Sequence, residues 1–199
     1  NGDASGSDNP LSIIMNANKS VTATFSEISG EITTITIQEN EDGFCSVDGS
    51  VDNNNPGFTG YGFANTDNEN DNGITWSVNV PSSGTYTLVW RIANGSSTNR
   101  TAEVMVNGSV EISNIDFPST GSWTTYEVLP SVDVTLPAGT SLVRLQATNS
   151  SGLANIDYMK VTGISPLTEA CSGLKSTQSI TGVAENNLEN DVKIYPNPV

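Results

Sequence analysis

The sequence contains no histidine and very little positive charge. Its 199 residues include 7 Lys and Arg against 22 Asp and Glu, which gives a formal net charge of −15. The absence of histidine excludes a Ser-His-Asp triad, imidazole acid–base catalysis and most zinc sites. The scarcity of Lys and Arg argues against nucleic-acid binding, because phosphate neutralisation needs cations, and against a polybasic membrane-binding patch.

Long apolar runs are also absent. No stretch approaches the length of a transmembrane helix, so we expect no membrane insertion. No segment keeps a helical period, whereas short alternating runs are separated by turns rich in Gly, Pro and Asn. Trp76 and Trp90 lie on alternating strand faces and are expected in the core, and Asn107-Gly108 is the strongest hairpin signal. The pattern predicts an all-β fold, an antiparallel β-sandwich.

The stretch "ITIQENEDGF", residues 35–44, begins as a strand and then changes character. Ile35 and Ile37 alternate with polar residues, and the same face next carries Glu39 and Glu41. Two carboxylates therefore replace apolar side chains where the strand ends. On the pattern alone, a solvent-facing strand end is the commoner environment for such residues.

A series of phrases extends over about residues 33–163. It includes, in order, "QENEDGF", "GFTGYGFAN", "VPSSGTYTL", "RTAEVMVNG", "TGSWTTYEV" and "NIDYMKVTG". This series resembles the family 35 carbohydrate-binding modules and their family 6 relatives. The resemblance implies a jelly-roll sandwich that binds sugars without catalysis and carries a structural calcium ion.

The resemblance also implies which residues bind calcium. In the family, an E-x-E pair on the first strand and the Asp of an N-x-D-Y phrase coordinate the ion; the matching residues are Glu39, Glu41 and Asp157. Calcium prefers about six to eight oxygen ligands, and three converging carboxylates would repel one another without a cation. A second acidic stretch, "NTDNENDNG", fails the EF-hand pattern because Asn72 stands at the glycine position. We expect a solvated loop there, although a second ion near the sugar site is left open.

The relatives bind sugar on loops at one end of the sandwich. The resemblance assigns ring stacking to Trp123, with a second aromatic at Tyr61 or Phe63, and hydrogen bonding to Asn155. Aromatic faces stack on pyranose rings and amides bind hydroxyl groups. Phe63 could equally serve packing, since it lies between small residues. The candidates of lower rank are Asn65, Arg91, Arg100 and Asn149.

The two cysteines, Cys45 and Cys171, are predicted to form a disulfide bond. An exported chain meets an oxidising compartment. Cys45 follows the first family strand and Cys171 lies just past the last, so adjacent ends of the module would bring them close. Two free thiols are the alternative.

The chain divides into three parts. Residues 1–31 contain a polar segment and a hairpin phrase similar to the end of internalin B-type bacterial repeats, followed by a linker. Residues 32–163 form the sandwich. Residues 164–199 form a linker that ends in "VKIYPNPV", which resembles the opening of the C-terminal sorting domain of type IX-secreted proteins in Bacteroidetes-like bacteria. These resemblances imply a secreted or cell-surface bacterial protein.

The predicted function is that of a non-catalytic, calcium-stabilised module. It would bind a polysaccharide or oligosaccharide as a monomeric unit and target a secreted polysaccharide-degrading enzyme to it. No G-x-S-x-G or other nucleophile signature suggests catalysis. A structural or adhesive module of a bacterial surface protein is the alternative. The sugar itself is not indicated, although the negative charge argues mildly against anionic polymers.

Overall fold

The computed structural model describes Asn18 and residues 30–171. Within these residues the chain forms thirteen β-strands and no helix. The strands are β1 Ile32–Gln38, β2 Phe44–Val47, β3 Gly49–Asp52, β4 Phe63–Thr66, β5 Gly73–Val80, β6 Gly84–Ala93, β7 Arg100–Val106, β8 Ser109–Phe117, β9 Glu127–Val128, β10 Val132–Leu136, β11 Gly139–Ala147, β12 Asn155–Ile164 and β13 Leu167–Thr168. Apart from Asn18, the predicted terminal features, a hairpin at 11–25 and a sorting-domain start at 192–199, lie outside the described residues.

The strands form two antiparallel sheets. The first has the order β10-β6-β12-β4-β3, with β1 beside β12 and β9 beside β6. The second has the order β13-β5-β11-β7-β8, with β2 beside β5. The predicted all-β antiparallel sandwich is confirmed. In the part of the chain that the structure describes, there is no helix of the length and apolar character needed to cross a membrane.

The core lies between the sheets and follows the strand alternation. In β6 the residues Tyr86, Leu88, Trp90 and Ile92 are at most 1% exposed, and Trp76 on β5 is equally buried. Both tryptophans therefore lie in the core, as predicted. Burying each such side chain contributes about 1.5–3 kcal/mol. This packing makes the sandwich a rigid support for the loops at its ends.

The free edge of β5 is closed by two short strands. β2 pairs with residues 74–76 and β13 with residues 78–79 of the same strand. Cys45 on β2 and Cys171 after β13 are joined by a disulfide bond, with a Cα–Cα distance of 5.4 Å. An edge with unpaired backbone groups invites non-native pairing. The two short strands cover this edge, and the disulfide links them covalently.

The register of β12 defines the two ends of the sandwich. Ile164, its last residue, pairs with Ile32 at the start of β1, whereas its first residue, Asn155, pairs with Ala93 at the end of β6. A ten-residue strand is about 30 Å long. The sandwich therefore begins and ends at the pole opposite Asn155. The pole at Asn155 carries the loops between β6 and β7 and between β8 and β9.

Candidate functional site

A cavity of about 200 Å³ opens at the Asn155 pole of the sandwich. It is lined by Asn55, Asn65, Asn68, Arg100, Trp123 and Asn155. The structure thus brings together four residues that the sequence singled out, from four separate segments. Asn55 and Asn68 were missed, since both are loop asparagines that no motif distinguishes from the many others. We call this cavity the polar pocket.

Arg100 is the positively charged residue of the polar pocket. It opens β7 and is only 8% exposed. Its Nη1 donates to Asn68 Oδ1 at 3.0 Å and to the Leu153 carbonyl at 2.6 Å, which are both neutral acceptors. Burial lowers the pKa of the Arg100 guanidinium from its ordinary value, because desolvation disfavours the charged form. Arginine nevertheless remains protonated at neutral pH.

Unlike Arg100, the other two arginines form ion pairs with carboxylates. Arg91 pairs with Asp157, and Arg144 pairs with Asp48. Among residues 30–171, Arg100 has no carboxylate within salt-bridge distance. A buried cation without a counter-charge is costly. The polar pocket is therefore prepared for an anionic group.

Trp123 is half buried and contributes the aromatic wall of the polar pocket. The Arg100 guanidinium carbon lies 5.0 Å from the centre of its rings, a cation–π contact. The loop after β6 approaches it so closely that a Cβ atom at Gly95 would collide with the Trp123 backbone nitrogen and indole ring. Only glycine fits there without displacing the tryptophan.

Asn155 contributes a buried amide. It is 3% exposed, and its Nδ2 has no hydrogen-bond partner in the described part of the chain. Tyr126 supports this side of the polar pocket, since its hydroxyl donates to the Asn55 carbonyl at 3.2 Å. Burial raises the pKa of Tyr126 to about 12, and the neighbouring Asn155 side chain lowers it by less, so the hydroxyl stays protonated at neutral pH. The Asn155 amide does not reach this hydroxyl with hydrogen-bond geometry. Asn65 is held by a residue that does not line the polar pocket, since its Nδ2 donates to Asp52 Oδ2 at 2.8 Å.

A second polar site contains the carboxylates of Glu39 and Asp157. Glu39 Oε1 accepts hydrogen bonds from the backbone nitrogens of Tyr61 and Gly62 at 2.8 and 2.6 Å. Asp157 Oδ1 accepts from the Thr59 nitrogen at 2.8 Å, and its Oδ2 pairs with Arg91. Burial raises the pKa of Glu39, and the nearby Asp157 charge adds to this. We call this pair the carboxylate site.

Glu41 does not join the carboxylate site. Glu39 is buried, whereas Glu41 is exposed. The prediction that both share one face is wrong, because β1 ends at Gln38 and Asn40 adopts a φ of 62°, which turns the chain. Among the residues that the structure describes, no group of three or more acidic, Cys or His side chains could hold a metal.

Phe63 is a core residue, and the prediction that it stacks on sugar is wrong. It is completely buried, with ring centres 6.0 Å from Phe58 and 6.2 Å from Tyr126. These aromatic rings pack beneath the loops and leave Phe63 no face for a ligand. The structure confirms the alternative, that Phe63 serves packing.

Three further candidates do not line the polar pocket. Tyr61 is 78% exposed and contributes its backbone nitrogen to Glu39. Arg91 is engaged by Asp157 and by the Gly57 carbonyl. Asn149 donates to Thr101 Oγ1 and accepts from the Ser151 nitrogen, so it shapes its own turn. The side chains of Arg91 and Asn149 therefore serve local structure, whereas Tyr61 does so through its backbone nitrogen.

Comparison with known proteins identifies the family. Residues 46–163 match the family model described as carbohydrate binding module (family 6). Alpha-L-arabinofuranosidase C of Cellvibrio japonicus (strain Ueda107) is 41% identical over 142 residues, which are 71% of this chain and 23% of that protein. The chain thus spans less than a quarter of this curated relative.

Solved structures agree with this match. A family 35 carbohydrate-binding module from Cellvibrio japonicus has a TM-score of 0.67 at 41% identity, covering 70% of this chain and 99% of that one. A family 35 module in complex with a glucuronic acid containing disaccharide has a TM-score of 0.66 at 42% identity, covering 69% and 99%. The chain therefore belongs to the family 35 carbohydrate-binding modules, within the group that the family 6 model describes, and is a non-catalytic module of the kind found in larger glycoside hydrolases.

Proposed function

We propose that the polar pocket binds a uronic acid unit of a polysaccharide or oligosaccharide. The observation that carries this proposal is the buried guanidinium of Arg100, which faces neutral acceptors only. A sugar carboxylate would supply the missing counter-charge, and hydrogen bonds between charged groups are the strong ones. The glucuronic acid containing disaccharide bound by a 42% identical module supports the same class of ligand.

The other residues of the polar pocket fit a sugar. The exposed part of the Trp123 indole offers an aromatic surface for a pyranose ring. The unpaired Nδ2 of Asn155 would donate to a ring substituent, and the amides of Asn55, Asn65 and Asn68 are suited to hydroxyl groups. The net charge of −15 had argued mildly against anionic ligands. Most of this charge lies far from Arg100, and charges beyond about 8–10 Å are screened at physiological salt. Asp52, which is nearer, is engaged by the Asn65 amide.

Retention on polysaccharide tests the proposal. The module is passed over an immobilised uronic acid-containing polysaccharide and over the same polymer after its carboxyl groups have been reduced to alcohols. We expect retention on the first polymer only, and its loss in Trp123→Ala. Equal retention on both polymers would contradict recognition of the carboxylate. No retention on any glycan would favour the alternative, a structural or adhesive module.

We also propose that the carboxylate site holds one calcium ion. Glu39 Oε2 is buried without a hydrogen-bond partner in the described residues, and so is Gln38 Oε1. Both are hard oxygen donors, and together with the Asp157 carboxylate they suit calcium. Bound calcium would stabilise the fold by offsetting the repulsion between Glu39 and Asp157. The ion pair between Arg91 and Asp157 already offsets part of this repulsion.

Thermal unfolding with calcium and with EDTA tests this second proposal. A ligand that binds only the folded state stabilises it by about 2.7 kcal/mol at 100 times its Kd. We expect calcium to raise the Tm of the wild type and to have no effect on Glu39→Gln. Glu41→Gln should reduce the calcium-induced rise in Tm less than Glu39→Gln does, since Glu41 is exposed. An unchanged wild-type Tm would contradict the proposal.

We further propose that the module belongs to a secreted polysaccharide-degrading enzyme of a Bacteroidetes-like bacterium. The arabinofuranosidase relative supports an enzyme as the parent, and the disulfide bond fits an oxidising, extracellular environment. Type IX secretion and the internalin-like repeat rest on the terminal phrases alone. Mass spectrometry of culture medium would test secretion; detection in the cytoplasmic fraction alone would contradict it.

A further inference from the structure

Arg100 and Trp123 come from different segments of the chain, yet they contact each other. Arg100 follows the loop of residues 94–99, which connects β6 to β7. Trp123 lies in the loop of residues 118–126, which connects β8 to β9. A pocket made of two loops needs something to hold them at a fixed distance, since loops are the more mobile parts of a fold. In this module that connection passes through Asn94.

The Asn94 side chain is completely buried and fully hydrogen-bonded. Its Nδ2 donates to the Thr98 carbonyl at 3.0 Å and to the Phe117 carbonyl at 2.8 Å. Its Oδ1 accepts from the Ser96 nitrogen at 3.1 Å and from Ser96 Oγ at 2.6 Å. An amide has two donor hydrogens and an acceptor oxygen with two lone pairs. One side chain therefore shapes the first loop and fastens it to the end of β8.

The backbone of Asn94 holds the second loop directly. Its nitrogen donates to Thr120 Oγ1 at 3.0 Å, and its carbonyl accepts from the Thr120 nitrogen at 2.8 Å. Thr120 Oγ1 in turn donates to the Ser122 carbonyl at 3.1 Å, one residue before Trp123. The neighbouring Gly95 packs against Trp123 itself. Both loops of the polar pocket are thus fixed to a single buried residue.

We propose that Asn94 is a positioning residue of the polar pocket, which sets the Arg100–Trp123 pair by joining the loop that precedes Arg100 to the loop that carries Trp123. This proposal rests on the proposed sugar site. The N-x-[ST] sequence at residues 94–96 would otherwise suggest glycosylation. The burial of the Asn94 amide and its four hydrogen bonds leave no room for a glycan in the folded module.

The test uses Asn94→Asp, which keeps the shape but replaces the donating amide with a carboxylate that cannot donate. The acceptors at Thr98 and Phe117 are then left facing negative charge. We expect the affinity for a glucuronic acid containing disaccharide to fall about tenfold or more, because a loosened support misplaces binding groups. Ser97→Asp adds a carboxylate at an exposed position of the same loop. It controls for added charge near Arg100 and should bind nearly as well as the wild type.

A second pair of variants examines the link to the Trp123 loop. Thr120→Val removes the hydroxyl that connects Asn94 to Ser122, whereas Thr120→Ser keeps it. We expect Thr120→Val to lose affinity and Thr120→Ser to retain it. If Asn94→Asp does not fold, the comparison of Thr120→Val with Thr120→Ser decides the question.

A ligand-free measurement separates this proposal from the sugar site on which it rests. Trp76 and Trp90 are at most 1% exposed, so acrylamide quenching of tryptophan fluorescence reports mainly on Trp123. We expect stronger quenching in Asn94→Asp and Thr120→Val than in their controls, at temperatures well below unfolding. Failure of the wild type to bind sugar would overturn the sugar site alone. Unchanged quenching together with unchanged affinity in folded Asn94→Asp and Thr120→Val would overturn the positioning role.

Discussion

The disulfide bond between Cys45 and Cys171 is expected to carry a large part of the stability of the module. It joins residues 126 positions apart. The loss of loop-closure entropy in the unfolded chain corresponds to about 5 kcal/mol for a loop of this size, and removal of native disulfides typically costs about 2–5 kcal/mol. For a domain of this size, 1 kcal/mol corresponds to about 2–4 °C in Tm. We therefore expect a fall in Tm of about 4–20 °C on removing the bond.

The local structure explains why other contacts would not replace the bond. Both residues of β13 are exposed, including Leu167 at 62%. Beyond its ladder pairs with β5, the segment adds a hydrogen bond from the Glu169 nitrogen to the Ser77 carbonyl at 3.3 Å. Little apolar burial therefore holds this segment against β5, and its loss would open a sheet edge.

Thermal unfolding of three samples tests this prediction. They are the oxidised wild type, the wild type reduced with dithiothreitol, and the double variant Cys45→Ala/Cys171→Ala. The reduced wild type and the double variant should both melt well below the oxidised protein. Reduction should leave the double variant unchanged, which excludes an unrelated effect of the reagent. Equal Tm values for all three samples would refute the reasoning.

Three further predictions concern the site and its support. Gly95→Ala places a Cβ atom against the Trp123 backbone nitrogen and ring; we expect about tenfold weaker sugar binding in a titration together with a lower Tm, and unchanged affinity would contradict the close packing. Phe63→Ala should cost about 3–5 kcal/mol in urea unfolding, because the side chain is completely buried; a stability equal to the wild type would show that it is not a core residue. Burial raises the pKa of Glu39 above its ordinary 4.5, so ionisation destabilises the folded state. In calcium-free buffer, the stability of the wild type relative to Glu39→Gln should fall as pH rises from below 4.5 through the raised pKa. A pH-independent difference would contradict the burial of this charge.

The sandwich was predictable from the sequence because strand alternation is a local property. Trp76 and Trp90 occupy positions of a period-2 pattern, and such a pattern directly indicates which side chains face the core. The Asn107-Gly108 turn was likewise predictable, since two residues with positive φ favour this pair, and the structure gives them φ values of 51° and 83°.

The site was only partly predictable, because its details depend on how loops pack. The alternation that predicted Glu39 and Glu41 on one face ends where Asn40 turns the chain with a positive φ. Phe63 is buried because Phe58, in the loop just before β4, and Tyr126, from a distant loop, cover it. No sequence pattern indicates that the loop of Tyr126 will cover this ring. The same holds for Asn94, whose importance comes from hydrogen bonds to residues that are distant in sequence, such as Phe117 and Thr120.

Recognition of a carboxylate by Arg100 is the central claim, and one calorimetric comparison tests it most directly. A glucuronic acid containing disaccharide and its methyl ester, which keeps the shape but removes the charge, are titrated into the wild type, Arg100→Gln and Arg144→Gln. Hydrogen bonds to charged groups contribute about 1.5–3 kcal/mol, so the wild type should prefer the free acid about 10- to 100-fold. Arg144→Gln should keep this preference, because Arg144 is paired with Asp48, and Arg100→Gln should lose it. Equal affinity of the wild type for acid and ester would contradict the claim.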